Sequence, residues 1–425
     1  MDGIVVMKFG GTSVADAERI KRAAQRLVDR RKEGYGVVGV LSAQGKTTDE
    51  LIAMAEEISA HPPPRELDML LSTGERISCA LCAMAIHELG FDAISLTGSQ
   101  AGIVTDTYHT KARIIEVRAD RVREALARGQ IVLVAGFQGV STQADVTTLG
   151  RGGSDTTAVA VAAALGAREC EIYTDVPGVY SADPRIVPNA RKLPLLSFEE
   201  MLEMSAAGAG VLQLRSVEYA RNHGVRIHCR SAFTDQPGTL VTSESEVQEK
   251  MEERPLVTAV THSTAESMIT LTGVEHRPGV AAEIFEALAD ANVNIDMIDQ
   301  NVPLGSGGKA EISFTVPHED LRVAVSALEP LRGKVFDGLH TREEMGKVSI
   351  VGAGMRTHPG VAAKVFRTLT DQGINIEMIS TSPIKISCVI GRDQVPVAVQ
   401  ALHAAFELEG EDTVVVEDPF ASGSF

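Results

Sequence analysis

The chain has 425 residues, enough for two or three domains, with 44% hydrophobic and 23% charged residues, an ordinary globular composition. A formal net charge of −17 excludes a surface built for nucleic acid, and no apolar run approaches the roughly 20 residues of a membrane span. The start lacks the basic opening and apolar core of a signal peptide. Five scattered cysteines, an odd number, fit a reducing cytoplasm better than a disulfide framework.

The first element is the apolar run Ile4-Val5-Val6-Met7, which reads as a buried strand and delivers Lys8-Phe9-Gly10-Gly11-Thr12-Ser13. Without Cβ atoms, Gly10 and Gly11 let the backbone turn tightly and bring N–H groups close to a ligand. The segment Val14 to Arg31 reads as a helix whose N-terminal dipole points at the same place. A strand, Lys8, a diglycine turn and Ser13 together describe an anion cradle suited to phosphate. The next strand, Val37 to Leu41, runs into Ser42-Ala43-Gln44-Gly45-Lys46-Thr47-Thr48 and invites a P-loop reading. It fails on spacing, because a P-loop has four residues between its glycines and five separate Gly39 from Gly45. Gly34-x-Gly36-x-x-Gly39 matches a dinucleotide fingerprint by its letters, but its glycines precede a strand instead of following one.

Leu71-Ser72-Thr73-Gly74-Glu75-Arg76 places a carboxylate at the start of an apolar helix that continues to Leu89, either to complement the dipole or to face a ligand. Cys79 and Cys82 fall inside that helix without a second Cys pair or matching His spacing, so they read as buried thiols and not as a zinc site. Ala93 to Leu96, Ile131 to Ala135 and Glu171 to Thr174 read as further strands. Gly150-Arg151-Gly152-Gly153-Ser154-Asp155 is a second glycine-rich turn that opens a helix over Ser154 to Leu165. Arg151 offers a planar fork for a carboxylate or phosphate, while Ser154 or Asp155 reads alternatively as a helix cap. Tyr173-Thr174-Asp175 ends a strand, and Tyr180 through Arg185 follows a Pro-Gly turn with an aromatic ring and a cation suited to a nucleotide. Residues 1–241 therefore read as an α/β domain with a mostly parallel sheet flanked by helices. His87 within it and His403 in the C-terminal part both read as structural. Residues 242–255, poor in aliphatics and rich in carboxylates, read as a linker.

The C-terminal part of the chain contains an internal repeat. Residues 278–298 (PGVAAEIFEALADANVNIDMI) align without gaps to 359–379 (PGVAAKVFRTLTDQGINIEMI), with 12 of 21 positions identical. Each copy is preceded by a strand (Met268 to Gly273; Lys347 to Gly352) and succeeded by two more, which predicts two β-α-β-β units with a further helix and strand, at 256–340 and 341–425. A Pro-Gly helix start suits anion binding. Polar groups of Asn-Ile-(Asp/Glu)-Met-Ile beside it favour a small-molecule sensor over a purely oligomerising scaffold.

The order and spacing of Lys8 to Val14, Ser42 to Thr48, Gly74-Glu75-Arg76, Gly136-Phe137-Gln138-Gly139, Thr148 to Thr157 and Thr174 to Arg185 resemble the aspartate kinase family across nearly the whole chain. The resemblance implies an amino-acid kinase fold followed by two ACT domains (βαββαβ, ferredoxin-like). It implies transfer of the γ-phosphoryl of ATP, with Mg2+, to the β-carboxylate of L-aspartate, the first step of lysine, threonine and methionine biosynthesis. Another carboxylate kinase, or a catalytically weakened amino-acid sensor, is the alternative. On the resemblance, Lys8, Gly10, Gly11 and Ser13 meet the phosphates, and Asp155 orients Lys8 or the metal shell. Thr174, Asp175, Tyr180 and Arg185 hold the nucleotide. Arg151, with Gly152, Gly153 and Ser154, takes the substrate α-carboxylate, Glu75 its ammonium, and Ser42 and Thr48 add hydroxyls. A carboxylate acceptor is already a nucleophile, so such a reaction needs alignment and charge cancellation, not a general base. An effector, lysine and/or threonine, is implied at His276, Arg277, Pro278, Gly279, Val280, Ala281, Asn294, Ile295, Asp296 and Gln300, and at Val361, Ala362, Asn375, Ile376, Glu377 and Ser382. The implied assembly is a homo-oligomer through the ACT domains, or a hetero-oligomer with a short regulatory chain of the kind that would begin at Met251. Three positions depart from the family pattern: Gly210, where many relatives carry a Lys near the ATP phosphates; His276, often acidic in relatives; and Gln44, commonly Met.

Overall fold

The computed structural model describes residues 3–250, 255–302 and 309–410. The first part is built on eight strands: β1 (Ile4–Phe9), β2 (Gly36–Leu41), β3 (Ala93–Leu96), β4 (Ile131–Ala135), β5 (Glu169–Thr174), β6 (Leu195–Ser197), β7 (Arg226–Ser231) and β8 (Thr239–Thr242). They lie in the order β6-β8-β7-β5-β1-β2-β4-β3, and every pair except β7–β8 is parallel. The continuous apolar runs of β1, β2 and β4 follow from helices covering both faces. Val5, Met7 and Phe9 pack with Leu27 of α1 (Ala17–Lys32) and Ile86 of α2 (Thr73–Glu88). Val6, one residue out of phase, packs on the other face with Val159 of α3 (Gly153–Leu165) and Val217 of α4 (Leu214–His223). Small residues let α3 be buried from Gly153 through Ala162.

The second part is one antiparallel sheet shared by both repeats, formed by β9 (Ala259–Glu275), β10 (Ile298–Asn301), β11 (Lys309–Pro317), β12 (Gly338–Val351), β13 (Met378–Ser382) and β14 (Lys385–Gly391). The order is β10-β11-β9-β12-β14-β13, with α5 (Val280–Asp290) and α6 (Val361–Asp371) as the paired helices of the sequence repeat.

Three expectations change. The helix read from Val14 is a short 3-10 turn, Gly11–Val14, followed by α1 from Ala17, because Asp16 caps it by accepting from the Arg19 N–H at 2.8 Å. The segment read as linker contains a helix, Glu244–Lys250, held by Arg226 Nη2 to Glu246 Oε1 at 2.6 Å and by the buried Val247. Met251 lies outside the described residues. The split at 340/341 also cuts across the sheet. Residues 259–263 of β9 pair with 347–351 of β12, and Val257 and Val260 share a core with Val348, Val361 and Leu402. The second repeat therefore takes a strand from before the first.

Candidate active site

Lys8, Ser42, Gly136 and Thr174 all sit at the carboxyl ends of the parallel strands β1, β2, β4 and β5, the edge where open α/β sheets bind ligands. Backbone bonds lock these ends together: Ser42 N–H to Phe9 O at 3.1 Å, Gly136 N–H to Leu41 O at 3.0 Å, and Gly45 N–H to Gly11 O at 3.0 Å. Gly11 is required for that approach, since a Cβ there would lie 2.9 Å from Ala43 O.

At the centre, Lys8 Nζ lies 2.5 Å from Asp155 Oδ1, with both side chains largely buried. Asp155 stands in the first turn of α3, where a carboxylate complements the helix dipole. The N-cap of α3 is Gly152 and no side chain caps it, so neither Ser154 nor Asp155 serves as the cap. It is α3, and not α1, whose amino end meets Lys8. The Gly10 N–H also differs from expectation: it donates to Tyr173 O at 3.3 Å and is committed to the sheet. Ser13 is buried and its hydroxyl has no hydrogen-bond partner among the described residues.

Glu75, at the start of α2, accepts from the Ala43 N–H at 3.2 Å through Oε1, while its buried Oε2 has no partner among the described residues. Gly74 allows this contact, because a Cβ there would be 2.7 Å from Ala43 Cβ. Burial pushes the Glu75 carboxyl up to about 7. Leaving a buried carboxyl oxygen unpaired is costly, and a ligand cation would relieve it. Thr48 lies in the first turn of the neighbouring helix Thr47–Ile58.

Arg151 is exposed between Gly150 (φ +76°) and Gly152 (φ +73°) and pairs with no other described residue. Gly152 is obligatory, since a Cβ would meet Gln213 Cγ at 2.1 Å. The hairpin leading into this turn is pinned by the fully buried Asp68, which accepts from the Thr148 hydroxyl at 2.5 Å and the Thr110 N–H at 3.0 Å.

Thr174, Asp175, Tyr180 and Arg185 line one cleft of about 770 Å³. The fork of Arg185 already holds Asp183, with Nη2 to Oδ2 at 2.6 Å. The cleft is also lined by Met204, Gly208, Gly210 and Val211, and by Val260, Thr261 and His262 of β9. These last three were not foreseen, because nothing local in the sequence marks a strand start that folds back over a distant site. Around Gly210 there is open space. The loop carrying Tyr180 is tied to the six-stranded antiparallel sheet and its helices: Val260 N–H donates to Ser181 O at 2.7 Å, and Ser181 Oγ meets His403 Nε2 at 2.9 Å. His403 is structural, as expected.

A separate cluster of Glu169, Glu171 and His228 has metal-ligand types within 4.8 Å of one another. Glu171 is already paired with Arg30, with Arg230 at 3.2 Å and with the Tyr173 hydroxyl at 2.9 Å, which makes this an ion-pair network.

The implied effector residues do not form one site. α5 and α6 begin directly after Gly279 (φ +90°) and Gly360 (φ +98°), with Val280, Ala281, Val361 and Ala362 in their first turns. But Gln300 on β10 and Ser382 on β13 lie at opposite edges of the sheet. Several polar members are already engaged: Asp296 with Lys347, Glu377 with Arg342 at 2.6 Å, and Arg277 with Glu275 at 2.8 Å and Glu283 at 2.7 Å.

Residues 3–231 match the model of the amino acid kinase family, and 269–330 and 348–406 match that of an ACT domain. The chain is 54% identical over 415 residues to the aspartokinase of Mycolicibacterium smegmatis, covering 97% of this chain and 98% of that one. It is 48% identical to the aspartokinase of Geobacillus stearothermophilus, over 97% and 99% of the two chains. Among solved structures, E. coli aspartokinase III in complex with aspartate and ADP (R-state) superposes with a TM-score of 0.82 at 27% identity, covering 95% of this chain and 99% of that one. The same enzyme in complex with lysine and aspartate (T-state) gives 0.71 at 26%, with the same coverage.

Proposed function

The chain belongs to the aspartokinase family, and we propose that its cleft transfers the γ-phosphoryl of ATP to the β-carboxylate of L-aspartate through the residues around Lys8. The observation that carries this is the Lys8–Asp155 pair at 2.5 Å, set at the strand edge with Thr174 of the cleft at the end of β5, Glu75 bonded to Ala43 just after β2, and the Arg151 turn that opens α3. The acceptor carboxylate is ionised at neutral pH and attacks without a base; the obstacle is repulsion between two anions. Lys8 supplies the cation, held in place by Asp155, and it strengthens its contact as charge spreads over the transferring phosphoryl oxygens. Glu75 Oε2 takes the substrate ammonium and the Arg151 fork its α-carboxylate, so the β-carboxylate points at Lys8. Ser42, Thr48 and Ser154 border the same place, while Thr174, Asp175, Tyr180 and Arg185 hold the nucleotide.

Magnesium fits this donor set, because Mg2+ bound with a nucleotide takes phosphate and water oxygens plus one or two carboxylates, and Asp155 and Asp175 supply those. When bound, it neutralises charge on the β- and γ-phosphates. In the regulatory part, the first turns of α5 and α6 suit the carboxylate of an amino-acid effector, lysine or threonine. Splitting the effector residues between two sheet edges, with β10 exposed, favours sites completed by a second copy or by a short regulatory chain. The compartment on this reading is the cytoplasm, which keeps the five buried free cysteines reduced.

Arg151→Lys tests the substrate assignment. It keeps the charge and loses the bidentate fork, so KM for aspartate is expected to rise roughly 10-fold while KM for ATP stays constant. An equal rise in both constants would place Arg151 on phosphate instead.

A further inference from the structure

The nucleotide cleft has a wall that does not come from the kinase sheet. Val260, Thr261 and His262 belong to β9, the longest strand of the regulatory sheet, and they line the same cleft as Thr174 and Asp175. Thr261 is only 5% exposed, and its Oγ1 is buried without a hydrogen-bond partner among the described residues. A buried hydroxyl left unpaired costs stability, so an orphan of this kind lining a cavity marks a contact completed by a ligand. Its position is fixed from both sides. Thr261 pairs in register with Ser349 of β12, and the preceding Val260 N–H is bonded to Ser181 O of the kinase part. The next residue is pressed equally close: a Cβ on Gly208 (φ +109°) would lie 1.9 Å from His262 O, so glycine is required for the strand to reach the cleft.

We propose that the regulatory sheet completes the nucleotide site, with Thr261 Oγ1 hydrogen-bonded to the adenosine end of the nucleotide and the His262 ring beside it. The inference rests on reading this cleft as the nucleotide site. The phosphates belong toward Lys8 and Asp155, which leaves the adenosine to the rest of the cleft, where the partly exposed Val176, Ala209 and Val211 offer apolar surface to a flat ring. The Thr261 hydroxyl can donate to a ring nitrogen or exchange a bond with a ribose hydroxyl. Any shift of β9 relative to the kinase sheet then alters nucleotide affinity directly, without a relay through the substrate pocket.

The test is the affinity of the full chain for ADP, measured by titration calorimetry, in wild type, Thr261→Val, Thr261→Ser and His262→Ala. Thr261→Val keeps the volume and removes the hydroxyl. It is expected to weaken ADP about 5- to 10-fold and to raise KM for ATP equally, with kcat at saturating ATP and KM for aspartate unchanged. Thr261→Ser keeps the hydroxyl and should bind ADP as wild type does, which a purely structural role for the threonine methyl would not produce. Wild-type ADP affinity in Thr261→Val overturns the proposal. If that variant does not fold by circular dichroism, unchanged ADP affinity in His262→Ala overturns it in its place. A wild-type chain that binds no ADP overturns the nucleotide reading of the cleft, and this inference with it.

Discussion

Lys8 and Asp155 form a charged pair that folding has placed under the strand edge, where water screens it poorly. Such a pair is a weak contributor to stability, and its natural use is to hold a cation where charge will appear. Lys8→Ala is therefore expected to lower kcat about 10²- to 10³-fold with little change in KM for ATP, measured by steady-state kinetics. A near-normal kcat would remove Lys8 from the chemistry. Glu75 carries a second consequence. Its carboxyl is pushed up to about 7 from the usual 4.5 by burial, so the native protein holds a proton that the unfolded chain has lost. The stability this provides is complete below about 4.5 and disappears as pH rises to about 7. A substrate ammonium beside Oε2 favours the ionised form, so aspartate binding expels the proton. KM for aspartate should fall as pH is raised through neutrality, and Glu75→Gln should flatten that slope. A slope that survives the substitution would rule out Glu75 as its source.

At the scale of elements, the site is a set of strand ends and the amino end of α3, brought together by glycines at positions where a Cβ would collide. Gly210 is different, since a side chain there would enter open space beside the cleft. Gly210→Lys should place a cation near the nucleotide phosphates and lower KM for ATP roughly 3- to 10-fold; an unchanged KM would show that the position does not reach them. The strands were legible in the sequence because burial on both faces leaves uninterrupted runs such as Ile131 to Ala135. The pairing of Lys8 with Asp155 was readable only through family resemblance, because 147 residues separate them. Where the reading failed, tertiary contacts decided. The acidic stretch from Glu244 is helical because Glu246 meets Arg226 and accepts from the Thr242 hydroxyl, which composition does not reveal. Gly10 was assigned to phosphate, although a neighbouring strand takes its N–H. Thr261 and His262 carry no motif; only the path of β9 brings them to the cleft.

Across the whole molecule, the two parts interlock more than two domains in series would. The loop from Tyr180 to Ala190 contributes to the core of the second repeat, and β9 contributes to the cleft lined by Thr174 and Asp175. Ser181 joins them through Val260, His403 and Leu408 O at 3.0 Å. A sheet that carries candidate effector sites is thereby in direct contact with the cleft proposed to hold the nucleotide, so on that reading regulation requires only that the sheet move. All of this depends on the cleft being that of an aspartate kinase. The most direct measurement incubates the full chain with MgATP and hydroxylamine, which traps an acyl phosphate as its hydroxamate, and compares aspartate with glutamate. Aspartate should yield the hydroxamate, with kcat/KM exceeding that for glutamate at least roughly 10-fold, since one extra methylene misplaces the reacting oxygen between Glu75, Arg151 and Lys8. Comparable kcat/KM for the two acids, or no hydroxamate from aspartate, would contradict the account.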